Sequence, residues 1–332
     1  MVGYVYWFSV SSLDPEQKIY VVAPGTGLKQ LSRQLYEQHV LADAHTLVWL
    51  AYLKGQSREL KAGEYRFRRG ITALELLDQV VSGRVVEYPF TLVEGWSFRQ
   101  MMAALTAAPK LTHSLINAGP EQVMAALGEP GVHPEGRFHP DTYYYSAGMS
   151  DLLLLQRAYQ KMDAALRKEW EGRDTAVPLK NSQEALTLAS IIERETGKAE
   201  ERPLIAGVFV NRLRKGMKLQ TDPTVIYGMG ERYRGKITTK DLREPTRYNT
   251  YVIKGLPPTP IAMPSREALH AALHPDTTRA LYFVSRKDGS HEFSETLEQH
   301  NAAVIKFQLD GKPKAFSSNP AVPAAKGADK AP

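Results

Sequence analysis

The strongest constraint on this chain is a change of rhythm near residue 93. Before it the elements are short and alternate in type. "KIYVVAPGTG" reads as a strand running into a Gly/Pro turn, and Leu28, Leu31 and Leu35 then recur at helical spacing. A second helix is expected over "AHTLVWLAYLKG" and a short strand over "GEYRFR". "TALELLDQVVSG" opens on Thr72 three residues before Glu75, a capping box, and stops at Gly83. "RVVEYPFTLVEG" is another strand. This β-α-α-β-α-β series predicts a module over residues 18–93, with Val21, Leu31, Leu35, Trp49, Tyr65, Leu76 and Leu77 in its core.

Beyond it the helices lengthen. "WSFRQMMAAL" starts on a second capping box, Ser97 with Gln100, and a Gly/Pro/Tyr-rich loop follows, "GEPGVHPEGRFHPDTYYYSAG". Helices are expected at "DLLLLQRAYQKMDAALRKEW", "SQEALTLASIIERETG" and "ERPLIAGVFVNRLRKG", then mixed loop and strand after Gly216. "REALHAALHP" is a helix, "ALYFVSRKDGSHEFS" a hairpin turning at Asp288-Gly289, and "TLEQHNAAVIKFQL" a last helix. The fold class is α+β, with the larger domain over 94–308. The tail 309–332, rich in Pro and Ala, reads as disordered.

Composition narrows the chemistry. With no cysteine among 332 residues, disulfides and thiolate catalysis are excluded. A net charge of +6 suits a polyanion such as nucleic acid, a phospholipid surface or a carboxylate-rich wall polymer, and equally suits no charged partner. The apolar start, Met1 to Val10 within a stub over 1–17, is too short for a bilayer, which needs about 20 residues. It reads as the end of a membrane helix or as a frayed terminus.

Two glutamates one residue apart, Glu193 and Glu195, close the apolar run "LTLASIIERETGK". At about 100° per residue Leu188, Ile191 and Ile192 share a face with Glu195, whereas Glu193 lies over Leu186 and Ala189. A carboxyl group among aliphatic side chains loses solvation when charged, so its pKa rises and it suits general acid work. Pairing with Arg194 or Lys198 at a helix end is the plain alternative, and periodicity leaves both open.

Other motifs are weaker. His270 and His274 stand at i and i+4, a spacing that fits a metal, but no third ligand is evident, so structural histidines and no metal are expected. "PGTG" is too short for a phosphate loop, and no G-x-S-x-G occurs. Arg212, Arg214, Lys215 and Lys218 in "NRLRKGMK" read as a solvated helix end, not a nucleic-acid stripe. "LQTDPTVIYGMG" and "RYNTYVIKG" gather amides, hydroxyls and tyrosines in loop-like stretches, as a carbohydrate cleft requires.

"ASIIERETGKAEERPLIAGVFVNRLRKGMKLQTDPTVIYGMG", "YNTYVIKGLPPTPIAMPS" and "HPDTTRALYFVSRKDGSHEFSETLEQHN", with "LKAGEYRF" and "EGRFHPDTY" upstream, closely resemble the YceG-like endolytic murein transglycosylases, the MltG family. The resemblance runs from about residue 18 to about 308. It implies a LysM-like N-terminal module, an α+β catalytic domain and an N-terminal anchor at the periplasmic face of the bacterial inner membrane. It implies a lyase that cuts nascent peptidoglycan strands internally between N-acetylmuramic acid and N-acetylglucosamine, leaving 1,6-anhydro ends and ending glycan elongation. Cell-wall synthases (penicillin-binding proteins) are implied partners; no cofactor and no nucleic acid is. The family's catalytic glutamate is the second Glu of its E-x-E-T motif, which falls on Glu195. Glu193, Gln220, Thr221, Asp222, Asn249 and Tyr251 are the candidates for orienting sugars. Asp222 is also a candidate turn cap before Pro223. A hydrolase using Glu195 with Asp222 or Glu193, and a non-catalytic glycan-binding scaffold, are the rival readings.

Overall fold

The computed structural model describes residue 8, residues 10–16 and residues 18–309. The apolar stub lies mostly, and the expected disordered tail almost wholly, outside the described residues. Among the described residues no helix is long and apolar enough to cross a membrane.

The chain divides into two units. The first takes the chain up to Phe90 together with Leu105–Ile116 and Thr142–Leu154. Its strand β1 (Tyr20–Val22) pairs antiparallel with β2 (Gly63–Tyr65). Helices α1 (Leu28–Glu37), α2 (Ala44–Leu53) and α3 (Ala73–Ser82) complete it, the last with the Thr72–Glu75 capping box formed. Leu31, Leu35, Tyr65, Leu76 and Leu77 are buried as expected. Val21 and Trp49 are not, at 62% and 57% exposure. Successive strand residues point to opposite faces, so burying Tyr20 and Val22 turns Val21 outward. On α2 the stripe Thr46, Leu47, Leu50 and Ala51 faces the core, and Trp49 falls outside it.

The unit does not end at a single cut near residue 93. β3 (Glu87–Leu92) pairs with β4 (Asp141–Ser146), a strand inside the stretch read as loop. Glu64 accepts from the Tyr88 hydroxyl and pairs with Lys110 at 2.9 Å. Pairing across fifty residues leaves no local trace in the sequence.

The second unit holds Thr91–Ala104, Asn117–Asp141 and the chain from Leu155 onward. It contains α4 (Phe98–Ala107, whose last residues belong to the first unit), α5 (Pro120–Ala126) and α6 (Asp151–Glu171, entering from the first unit). Its centre is α7 (Ser182–Glu195), capped by Asn181 and buried at every position from Ala185 to Ile192. A helix apolar on all sides belongs inside a core. Here it packs with α8 (Arg202–Arg214) and α10 (Arg266–Leu273) around Leu186, Ile191, Phe209 and Leu269. Between these lies α9 (Asp222–Met229), a helix where mixed loop and strand was expected, with Pro223 in its first turn. The hairpin forms from β5 (Tyr282–Ser285) and β6 (His291–Ser294), and α11 (Leu297–Phe307) follows.

Candidate active site

One face of α8 positions the wall of the site. A side chain at Gly207 would meet the Asp276 carbonyl oxygen at 2.6 Å, so only glycine admits the passing chain there. One turn on, Asn211 Nδ2 donates to the carbonyls of Thr278 (2.8 Å) and Ala280 (3.1 Å), and Arg212 Nε donates to that of Leu281 (2.6 Å). At the other end of the helix Glu201 accepts from His291 N at 3.0 Å and meets its Nδ1 at 2.7 Å. The hairpin is thereby held just before its first strand and at the start of its second.

Arg212 corrects the reading of "NRLRKGMK" as solvated. It is 7% exposed, and its Nη1 donates to the carbonyls of Lys218 and Leu219. Its guanidinium lies 5.1 Å from the Tyr282 ring.

Opposite this wall a buried hydroxyl network places Thr221. Thr221 N donates to Thr250 Oγ1 (3.1 Å), and Thr224 Oγ1 bonds both Thr221 O (2.7 Å) and Thr250 Oγ1 (2.8 Å). A fully bonded polar cluster is rigid, and it aims the Thr221 hydroxyl at Glu195, donating to Oε2 at 2.6 Å. Gln220 just before it sits at φ +52°, a left-handed backbone that a glutamine seldom adopts.

Glu195, Gln220, Asp222, Tyr251 and Arg212 line one cavity of about 320 Å³ with Tyr282, His291 and His300. Burial pushes the Glu195 carboxyl up to about 7; the Thr221 hydroxyl opposes this, the nearby Asp222 carboxylate reinforces it, and the Arg212 charge opposes it. The group is therefore protonated in a large fraction of molecules at neutral pH. Asp222 Oδ1 accepts from the Tyr251 hydroxyl at 2.7 Å, and burial with that carboxylate drives the Tyr251 phenol well above its ordinary range. Thr221, not Asp222, occupies the cap position of α9, and no side-chain cap bond forms there.

The remaining candidates sit elsewhere. Glu193 pairs with Arg202 at 3.4 Å, not with Arg194 or Lys198, and accepts from Ser265 N at 3.0 Å, where α10 begins. It is not among the cavity-lining residues. Asn249 is 1% exposed and also absent from the lining. Its amide group donates to the carbonyls of Asp241, Leu242 and Glu244 and accepts from Tyr251 N at 2.9 Å, so it shapes the loop that carries Tyr251.

Sequence reasoning missed Arg212, Tyr282, His291 and His300 as lining residues. His300 stacks on Tyr282 at 5.2 Å, and burial with the Arg212 charge pushes its imidazole down to about 4, so it is neutral at pH 7. Its place on an otherwise ordinary amphipathic helix gives no local signal.

The model of the YceG-like family matches residues 20–306. The chain belongs to the YceG-like family. This YceG-like protein is 29% identical over 330 residues to an endolytic murein transglycosylase of Bacillus subtilis strain 168, covering 92% of the chain and 91% of that relative. It is 26% identical over 338 residues to an endolytic murein transglycosylase of Streptococcus pneumoniae serotype 2, covering 91% of the chain but only 61% of that longer relative. A crystal structure of a YceG-like protein from Listeria monocytogenes superposes with a TM-score of 0.54 at 30% identity, covering 86% of this chain and 97% of that one.

Proposed function

We propose that this YceG-like protein is an endolytic peptidoglycan lytic transglycosylase with Glu195 as its acid and then its base. The observation that carries the reading is one carboxyl group, pushed up to about 7, hydrogen-bonded to Thr221 and opening onto a cavity of sugar-compatible groups. Thr221 holds Oε2, which leaves Oε1 for the glycosidic oxygen. Protonated Glu195 donates to that oxygen as the bond between N-acetylmuramic acid and N-acetylglucosamine breaks. The carboxylate so formed takes the proton of the muramyl C6 hydroxyl, whose oxygen closes onto C1 as a 1,6-anhydro ring. Atoms balance with no water consumed, so no second carboxylate is required to activate one. Neutral His300, whose Nδ1 is buried, has its Nε2 to offer a sugar hydroxyl, and Tyr251 supplies an aromatic face. The first unit serves as a LysM-like glycan-holding module. By the same reading the protein works on strands emerging at the outer face of the bacterial inner membrane, beside the synthases that make them.

Asp222 lines the same cavity and supports a second reading, a muramidase that activates water. Its bond to Tyr251 argues for an orienting role. Mass spectrometry of digested strands separates the two. Anhydro-muramyl ends are expected, lost on Glu195→Gln; reducing ends heavier by one water would replace the lyase with a hydrolase.

A further inference from the structure

The histidine pair set aside in the sequence gains in the fold the partner it lacked. His270 lies in the last turn of α10 and His274 caps it, their rings stacked with centroids 4.3 Å apart. From α6, Glu169 comes against them with its side chain only 8% exposed and Oε2 at 2.8 Å from His270 Nδ1. One ligand atom from each of the three lies within 4.8 Å of the others.

We propose that Glu169, His270 and His274 form a zinc-type divalent metal site that ties α6 to the C-terminal end of α10. Two imidazoles and one carboxylate suit zinc and similar borderline ions, whereas calcium and magnesium call for oxygen ligands throughout. Tetrahedral ligands at about 2.0–2.1 Å from the ion stand roughly 3.3 Å apart. From a spread of up to 4.8 Å the three ligand atoms must draw together by as much as about 1.5 Å to reach this, and the His270 side chain, 58% exposed, has room to turn toward a shared ion. Arg266 Nε holds the other carboxylate oxygen at 3.3 Å, the kind of supporting bond that orients a ligating carboxylate. Glu169 and His270 also border a cavity of about 310 Å³, which leaves room for water as a fourth ligand. None of the three residues lines the Glu195 cavity. The ion would therefore brace α10, whose other end is held by Glu193, and take no part in the chemistry.

Calorimetric titration of the full chain with zinc chloride, alongside thermal melts, tests the site. One equivalent should bind and raise the melting temperature, while a chelator leaves strand cleavage unchanged. His274→Gln and Glu169→Gln should each weaken zinc at least tenfold and abolish the zinc-dependent rise, and metal-free melts of each variant establish that it is folded. Absence of stoichiometric binding to the unsubstituted chain overturns the proposal. So does full zinc affinity in folded Glu169→Gln, because two surface histidines alone would then account for binding.

Discussion

The second unit holds two carboxyl groups pushed up to about 7, and they behave as opposites. Both border cavities, but among the described residues Glu195 takes one side-chain hydrogen bond, that of Thr221. Glu135 is 3% exposed; its Oε1 accepts from Phe98 N at 2.8 Å and its Oε2 from the Tyr227 hydroxyl at 2.9 Å. Burial is the leading cause of both shifts. A raised pKa therefore does not single out a catalyst in this molecule. What separates the two is that both oxygens of Glu135 are engaged by the fold, while Glu195 keeps one oxygen for a ligand.

The largest expected effect breaks the comparison at Glu195. Glu195→Gln keeps size and shape but offers no acidic proton, and general acid catalysis is typically worth about 10²–10⁴-fold. Turnover measured by anhydro-end release should fall at least that far without loss of folding. Near-normal turnover would move the acid elsewhere. Glu135→Ala should do the reverse: it orphans the Phe98 amide and the Tyr227 hydroxyl, each costing about 1–3 kcal/mol. Denaturant melts should show the loss, with kcat per folded molecule largely kept; a kcat loss matching that of Glu195→Gln would make the two groups catalytic partners.

Glu193→Gln weakens the link to Arg202 and Ser265, so it should cost stability and much less turnover than Glu195→Gln. The smaller effects are in pH. Both raised carboxyls bind their proton in the folded state up to about 7 but release it near 4.5 when unfolded. Their contribution to stability is full below about 4.5 and is lost as pH rises to about 7. Glu195→Gln and Glu135→Gln should each remove one share of that slope. Activity should likewise decline above about pH 7, as Glu195 loses its proton. Thr221→Val removes a bond that lowers this pKa, so its alkaline limb should move upward; an unmoved limb would mean the hydroxyl does not touch the acid in solution.

Local grammar carried much of the fold into the sequence. Thr72 with Glu75 and Ser97 with Gln100 form the bonds their spacing promised. Arg286 N bonds Ser290 O across the expected hairpin turn, where Gly289 takes a left-handed backbone. The helical wheel of α7 could not separate Glu193 from Glu195, because that helix is buried on every side. What the wheel could not read was the neighbours: Thr221 beside one carboxylate, Ser265 and Arg202 beside the other. For the same reason "DTYYYS" gave no strand and "DPTVIYGM" no helix, since their partners lie far along the chain. The family resemblance, not periodicity, pointed to Glu195.

The two grips on the hairpin, Glu201 at the cap of α8 and Arg212 within it, have an evolutionary corollary. Glu201 and Arg212 are eleven residues apart, about 16 Å along a helix. A single inserted or deleted residue between them would turn one grip by about 100° relative to the other and pull the cavity wall out of register with Glu195. Length drift in this family should therefore be purged between 201 and 212 and tolerated at 286–290, where the hairpin turn faces no such gauge.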